Sequence, residues 1–264
     1  MYGFYITMGM FGSGKTQNMT KYLRDANPHK ITNISNYWTG YTDFQVQSHR
    51  DLISILTDIY DYHQYINLYD ERELLYSHKP HLYNNYCINA QNFRKNYPNL
   101  PKNLSFNIAL DEGSIYFNPR NFDKNFKGEN EKLLDFIYQP RKLNCLFMVA
   151  VQNPLELDVK FRRLAGYYRK YYRGLHFIRW HKDFYFPNPE EMDFEKAEVI
   201  GWGVNFNFYP LFPRYQYNTK ELIRVAEDIY RPHSLFQALA NMDKPFRPSK
   251  VGDLRPSVAS ATVA

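Results

Sequence analysis

The chain is poor in cysteine and has no long apolar run, and these absences narrow what it can be. Cys87 and Cys145 are the only thiols in 264 residues, far apart and without metal-type spacing. Neither a disulfide framework nor a zinc knuckle can organise such a chain, and both thiols read as reduced, with Cys145 packed in a strand. No stretch reaches the roughly 18 consecutive apolar residues that a membrane-spanning helix needs. The start, Met1-Tyr-Gly-Phe-Tyr5, lacks the basic-then-apolar layout of a secretion signal, so the expectation is a soluble, cytoplasmic protein with no transmembrane segment of its own. No internal repeat is visible.

Positive charge is present but unevenly placed. The formal net charge is +6, and Lys160 to Lys182 holds eight basic side chains with no acidic one. With those eight set apart from the 33 basic residues, the 27 acidic ones are in slight excess. The cations alternate with Phe161, Tyr167, Tyr168, Tyr171, Tyr172, Phe177 and Trp180, and a groove that tracks phosphates and stacks bases needs both kinds of side chain. Arg169, Lys170, Arg173 and Arg179 are therefore candidate nucleic-acid contacts. A subunit interface, an aromatic core stripe, a solvated face and an anionic membrane surface use the same composition.

The segment GMFGSGKT, Gly9 to Thr16, fits G-x-x-x-x-G-K-[ST], in which glycines let the backbone curl around phosphate and aim its N–H groups at the oxygens. Its flanks suit the motif. Tyr2 to Met8 is aromatic and β-branched like a buried strand, and Thr16 to Arg24 sets Met19, Tyr22 and Leu23 on one helix side. Gly9, Met10, Phe11, Gly12, Ser13, Gly14, Lys15, Thr16 and Gln17 form the candidate nucleotide loop, with the helix N-terminus adding partial positive charge. The guanine-selecting pattern N-K-x-D is missing, which favours ATP over GTP.

Turnover needs more than a loop. Leu104 to Leu110 reads as a strand ending in Asp111-Glu112. A carboxylate at that place can hold the shell of a Mg²⁺ ion that Thr16 ligates directly, and the next acidic residue can orient or deprotonate the attacking water. Asn144 to Val151 is the most apolar run and reads as a central strand that ends in Gln152, an amide able to contact the γ-phosphate and the water. Lys15, Glu112 and Gln152 are thus the candidate catalytic residues, with Thr16 and Asp111 on the metal.

Elsewhere, Lys30 to Ser35 reads as a strand. Ser48-His-Arg-Asp51 looks like a capping signal for a helix to about His63, with Leu52, Ile55, Leu56, Ile59 and Tyr60 on one face. Asp61 to Pro101 shows no clear period. A helix is expected from about Asn130 to Tyr138 and another from Thr219 to Tyr230. His176 to Trp180 and Val199 to Tyr209 read as antiparallel strands at a sheet edge or in an appendage. The expected class is α/β: a mainly parallel sheet with helices on both faces. Residues 1–175 would form the core, 176–242 would complete it or append to it, and 243–264, rich in Pro, Ser and Ala, would be a disordered tail.

The runs IALDEGSIYFNPR and QPRKLNCLFMVAVQNPLELDVKFRRLAGYYRKYYR resemble the ATPase domain of the zonula occludens toxin-like family, which includes the assembly ATPases of filamentous phages. YQYNTKEL resembles that family's closing segment. The family is similar to the broader FtsK/HerA group of DNA-pumping and packaging motors. The resemblance implies a P-loop NTPase of RecA-like form, binding ATP and Mg²⁺ in a homo-oligomeric ring whose sites are completed by a neighbour's arginine. Arg141, Arg162 and Arg163 are the candidates. It implies a motor on a viral DNA genome, in packaging or in virion assembly or extrusion, working in the host cytoplasm, at the inner membrane surface or on the virion. Membrane-embedded members carry a transmembrane helix after the ATPase domain; none is seen here, which shifts the expectation towards soluble packaging or a separate membrane or capsid partner. A small-molecule kinase and an ATP-gated assembly scaffold are the alternatives that the same loop allows.

Overall fold

In the computed structural model, eight strands form a single sheet whose centre is the strand that feeds the glycine-rich loop. Residues 2–27, 30–67, 80–98, 100–119, 133–173 and 178–206, together with Leu235, are described. The strands are β1 (Gly3–Met8), β2 (Ile31–Ser35), β3 (Phe44–Gln45), β4 (Ser105–Leu110), β5 (Cys145–Val151), β6 (Tyr167–Arg173), β7 (Ile178–Tyr185) and β8 (Glu198–Phe206). Their spatial order is β3-β2-β4-β5-β1-β6-β7-β8. Strands β3 to β6 in that order run parallel, and β7 and β8 are added antiparallel at one edge. Strands β6 and β7 belong to the same sheet, with Arg173 paired with Arg179.

Alternation along the central strands divides the core between two faces. Phe4, Ile6 and Met8 of β1, Phe106, Ile108 and Leu110 of β4, and Phe147 and Val149 of β5 pack on one side with helix α2 (His49–Tyr62) and helical residues 133–137. Ala109, Leu146, Met148 and Ala150 point to the other, where helix α1 (Lys15–Asp25) buries Met19 and Leu23. Period 2 in a strand sends neighbouring side chains to opposite faces, so a strand covered on both sides must be apolar throughout; β5, CLFMVAV, is buried at every position. Each fully buried Leu, Ile or Phe here contributes about 1.5–3 kcal/mol.

Helix α2 starts as its sequence signals: the Ser48 hydroxyl accepts from the Asp51 amide at 3.1 Å. Leu52, Ile55, Leu56 and Ile59 are buried, but Tyr60 is 42% exposed and does not join them. Its position, one residue past Ile59, lies about 100° further round the helix and beyond the apolar stripe. The unpatterned region contains helix α3 (Pro80–Asn96), which the sequence did not announce. Its inner face is aromatic, with Tyr65 packed on Tyr86 and Phe93, ring centroids 5.7 and 5.6 Å apart. The expected helix at 219–230, the segment YQYNTKEL and the tail at 243–264 lie outside the described residues.

Two titratable groups at α2, the half-buried Asp58 and the buried His63, oppose one another in acid. Burial pushes the Asp58 carboxyl up to about 6, although the Leu235 amide that it accepts at 2.8 Å pulls the other way. Burial pushes the His63 imidazole down to about 4, against a backbone contact at Leu143. A carboxyl raised in the folded state contributes stability that is lost as pH rises from about 4 to 6; a depressed imidazole contributes stability that is lost as pH falls from about 6.5 to 4. Asp58→Asn removes only the first effect. The variant should therefore gain stability relative to the unaltered chain as pH rises through that window, read from urea midpoints at about pH 4.5 and 6.5.

Candidate nucleotide site

The carboxyl ends of adjacent parallel strands gather the polar residues. In the order β2-β4-β5-β1 these ends carry Asn36, Asp111-Glu112, Gln152 and the loop Gly9–Thr16. Ligands collect at this edge of open α/β sheets because the strands deliver loops and helix N-termini to it.

Gly14 caps α1 with a left-handed backbone, φ 99°, a conformation that a residue with a Cβ rarely takes. The loop then turns so that Lys15, the first residue of α1, folds back with its ammonium donating to the carbonyls of Gly9 at 2.6 Å and Met10 at 3.3 Å. Burial lowers the Lys15 pKa, while Asp111 and Glu112 act to raise it. The Thr16 hydroxyl donates to Asp111 Oδ2 at 2.7 Å. Met10 and Phe11 stand exposed on the crest of the loop.

The β4 end is held from two sides. The Asn36 side chain clamps the Asp111 backbone, donating to its carbonyl and accepting from its amide, both at 2.8 Å. The Gly113 amide donates to the Ala150 carbonyl at 2.7 Å, which ties the turn to β5. Between them Glu112 has a positive φ of 49°, rare for a residue other than glycine. Burial raises the Asp111 pKa against hydrogen bonds from Thr16 and the Glu112 amide. Glu112 is raised by burial and then by Asp111, with Lys15 and the Gln152 amide opposing. A carboxylate shifted upward in this way is closer to the proton affinity that a general base needs near neutrality.

The arrangement suits a phosphate ester with a divalent cation. Mg²⁺ takes one or two protein oxygens and fills its remaining positions with phosphate and water, and the Thr16–Asp111 pair provides that number. Among the described residues no group of three or more His, Cys, Asp or Glu forms a cage of the kind that a protein-only metal site requires.

The arginines are dispersed. Arg141 is exposed in the turn that enters β5, at the opposite edge of the sheet. Arg162 is buried and serves its own chain, donating to the carbonyls of Leu157 at 3.2 Å, Pro189 at 2.6 Å and Glu190 at 2.8 Å. Arg163 pairs with the Glu190 carboxylate at the surface. Of the nucleic-acid candidates, Arg169 is turned inward: it binds both Asp183 oxygens, at 2.7 and 2.8 Å, and the Tyr22 hydroxyl at 3.0 Å. Lys170 lies 3.9 Å from the Phe194 ring centre. Arg173 is exposed, and Arg179 reaches the glycine-rich loop, where its Nη1 donates to the Gln17 side chain. Sequence reasoning missed Asn36 and this use of Arg179. Asn36 was findable, because it directly follows a strand of the parallel set.

Sheet, loop and carboxylates together define a P-loop α/β fold, mostly parallel with an antiparallel edge. Comparison with protein-family models and with curated proteins found no match. Among solved structures the chain is similar to the N-terminal domain of zonular occludens toxin from Neisseria meningitidis, at 13% identity and a TM-score of 0.48, covering 82% of this chain and 100% of that one. It is similar also to the genome packaging NTPase B204 from Sulfolobus turreted icosahedral virus 2 in complex with ATP-gammaS, at 12% identity and a TM-score of 0.37, covering 78% and 98%. Similarity to EccC (ATPases 2 and 3) of Thermomonospora curvata is at 9% identity and a TM-score of 0.37, covering 64% of this chain and 30% of that one. No helix among the described residues is long and apolar enough to cross a membrane.

Proposed function

We propose that the chain is an ATP-hydrolysing motor that moves DNA during viral genome packaging or virion assembly, working as a homo-oligomer. The observation that carries the ATPase part is the convergence of Lys15, Thr16, Asp111, Glu112 and Gln152 at one edge of the sheet. Lys15 neutralises charge on the β- and γ-phosphates, Glu112 takes a proton from the attacking water, and Gln152 holds Glu112 and reads the γ-phosphate. Thr16 and Asp111 would hold Mg²⁺, which supplies charge neutralisation between the phosphates when bound. An arginine from a neighbouring copy completes the site, with Arg141 and Arg163 presented at the surface for it.

The DNA part of the reading is supported by the β6–β8 ribbon, on the face away from Arg169. There Tyr172 and Trp180 stack at 4.0 Å, Lys182 lies 5.7 Å from the Trp180 ring, and Trp202 is 76% exposed. Lys170 is on the same face, two residues from Tyr172. Rings with interspersed cations suit single strands. The test is ATP turnover with and without single- and double-stranded DNA. DNA should raise turnover, and Lys170→Gln with Lys182→Gln should flatten the salt dependence of single-strand binding by about 1.4 in log–log slope. Turnover indifferent to DNA at every protein concentration would remove the motor reading and leave the ATPase.

A further inference from the structure

The antiparallel edge of the sheet is packed directly on the glycine-rich loop. A Cβ on Gly14 would meet Arg179 Nη1 at 2.7 Å and Cδ at 2.9 Å, and one on Gly9 would meet the Tyr171 carbonyl at 2.8 Å. The two glycines that open and close the curl are therefore pressed by β6 and β7. In strand order, β1 separates two flanks: Asp111, Glu112 and Gln152 come from β4 and β5 on one side, and Arg179 comes from β7 on the other. The loop itself carries a single cation, Lys15, beside two carboxylates, a poor balance for holding a polyphosphate. The Arg179 guanidinium, placed over Gly14 and bonded to Gln17 at the start of α1, corrects it.

We propose that Arg179 belongs to the nucleotide site of its own chain and binds the α/β side of the polyphosphate, away from the flank where the γ-phosphate is cleaved. The inference rests on the reading of the loop as a nucleotide site. In such loops the backbone amides at the helix start cradle the α- and β-phosphates while the lysine reaches the β and γ. A guanidinium above that helix start meets the part of the ligand that ATP and ADP share. Its contribution is then the same before and after hydrolysis, which is ground-state binding rather than rate acceleration.

The test measures dissociation constants for fluorescent ADP and ATP, and KM and kcat separately, for the unaltered chain, Arg179→Ala, Arg179→Lys and Lys15→Ala. Arg179→Ala should weaken ADP and ATP by the same factor, about tenfold or more as for other hydrogen bonds to charged groups, and raise KM to match while kcat stays within about threefold. Arg179→Lys should recover part of the affinity, because the ammonium keeps the positive charge that faces the polyphosphate. Mixing Arg179→Ala with Lys15→Ala should restore nothing, because both defects lie in the same chain's site. A fall in kcat with unchanged ADP affinity, restoration on mixing, or unaltered affinity in Arg179→Ala would each overturn the proposal. If the unaltered chain binds neither nucleotide, the ATPase reading itself fails, and this inference with it.

Discussion

Replacing Glu112 with glutamine is expected to slow ATP hydrolysis by about 10²- to 10⁴-fold, the range typical of a lost general base, with ATP affinity close to that of the unaltered chain. Glutamine keeps the size of the side chain and an oxygen that can still accept from Gln152, but it cannot take a proton. Lys15 and Thr16 are untouched, so the phosphate contacts persist. Lys15→Ala should behave in the opposite way and lose nucleotide affinity itself, because the ammonium inside the loop has no replacement. Single-turnover hydrolysis beside equilibrium binding separates the two outcomes. If Glu112→Gln hydrolyses within about threefold of the unaltered chain, the base must be another group and the assignment at β4 is wrong.

Asp183→Ala is expected to produce the largest loss of stability, about 3 kcal/mol or more, because it strands a cation inside the fold. Arg169 gives two hydrogen bonds to Asp183, at 2.7 and 2.8 Å, with only 13% and 15% of their side chains exposed. Removing the carboxylate leaves the guanidinium the Tyr22 hydroxyl and the Tyr167 ring, 5.4 Å away, neither of which carries a compensating charge. For a chain of this size, a loss of that order lowers Tm by about 6–12 °C. The double variant Arg169→Met with Asp183→Leu should be markedly less destabilised than Asp183→Ala, since replacing both ions removes the desolvation cost as well as the attraction. Thermal unfolding of the three variants decides the matter. A change under about 0.5 kcal/mol in Asp183→Ala would mean that the pair is effectively solvated.

The sequence made the glycine-rich loop and its flanks legible because each part is local: a strand, a glycine-rich curl and a helix start occupy consecutive residues. The places of Asp111-Glu112 and Gln152 at the ends of β4 and β5 were legible by a weaker rule, a polar residue directly after an apolar strand, while their roles rest on the proposed function. Distances across the sheet were not. Arg169 and Arg179 have similar sequence surroundings, yet one is turned inward against Asp183 and the other lies on the loop. The difference comes from the pairing of β6 with β7, which sets Arg169 opposite Asp183 and Arg173 opposite Arg179. Helix α3 was hidden for another reason, since its inner face uses Tyr and Phe spaced between asparagines rather than aliphatic side chains. Composition gathered the cations of residues 160–182 into one group; the alternation of a strand sends them to different faces with different work.

The left-handed backbone at Glu112 sets fold and chemistry against each other at a single position. Glycine adopts a φ of 49° without the cost, about 1–2 kcal/mol, that a Cβ brings there. A turn needed only to reverse the chain after β4 would be more comfortable with glycine, and selection for heat resistance alone would push towards it. Thermostable descendants of this chain obtained without a demand for activity should therefore be sequenced first at residue 112, where a gain in stability would remove the carboxylate proposed as the base.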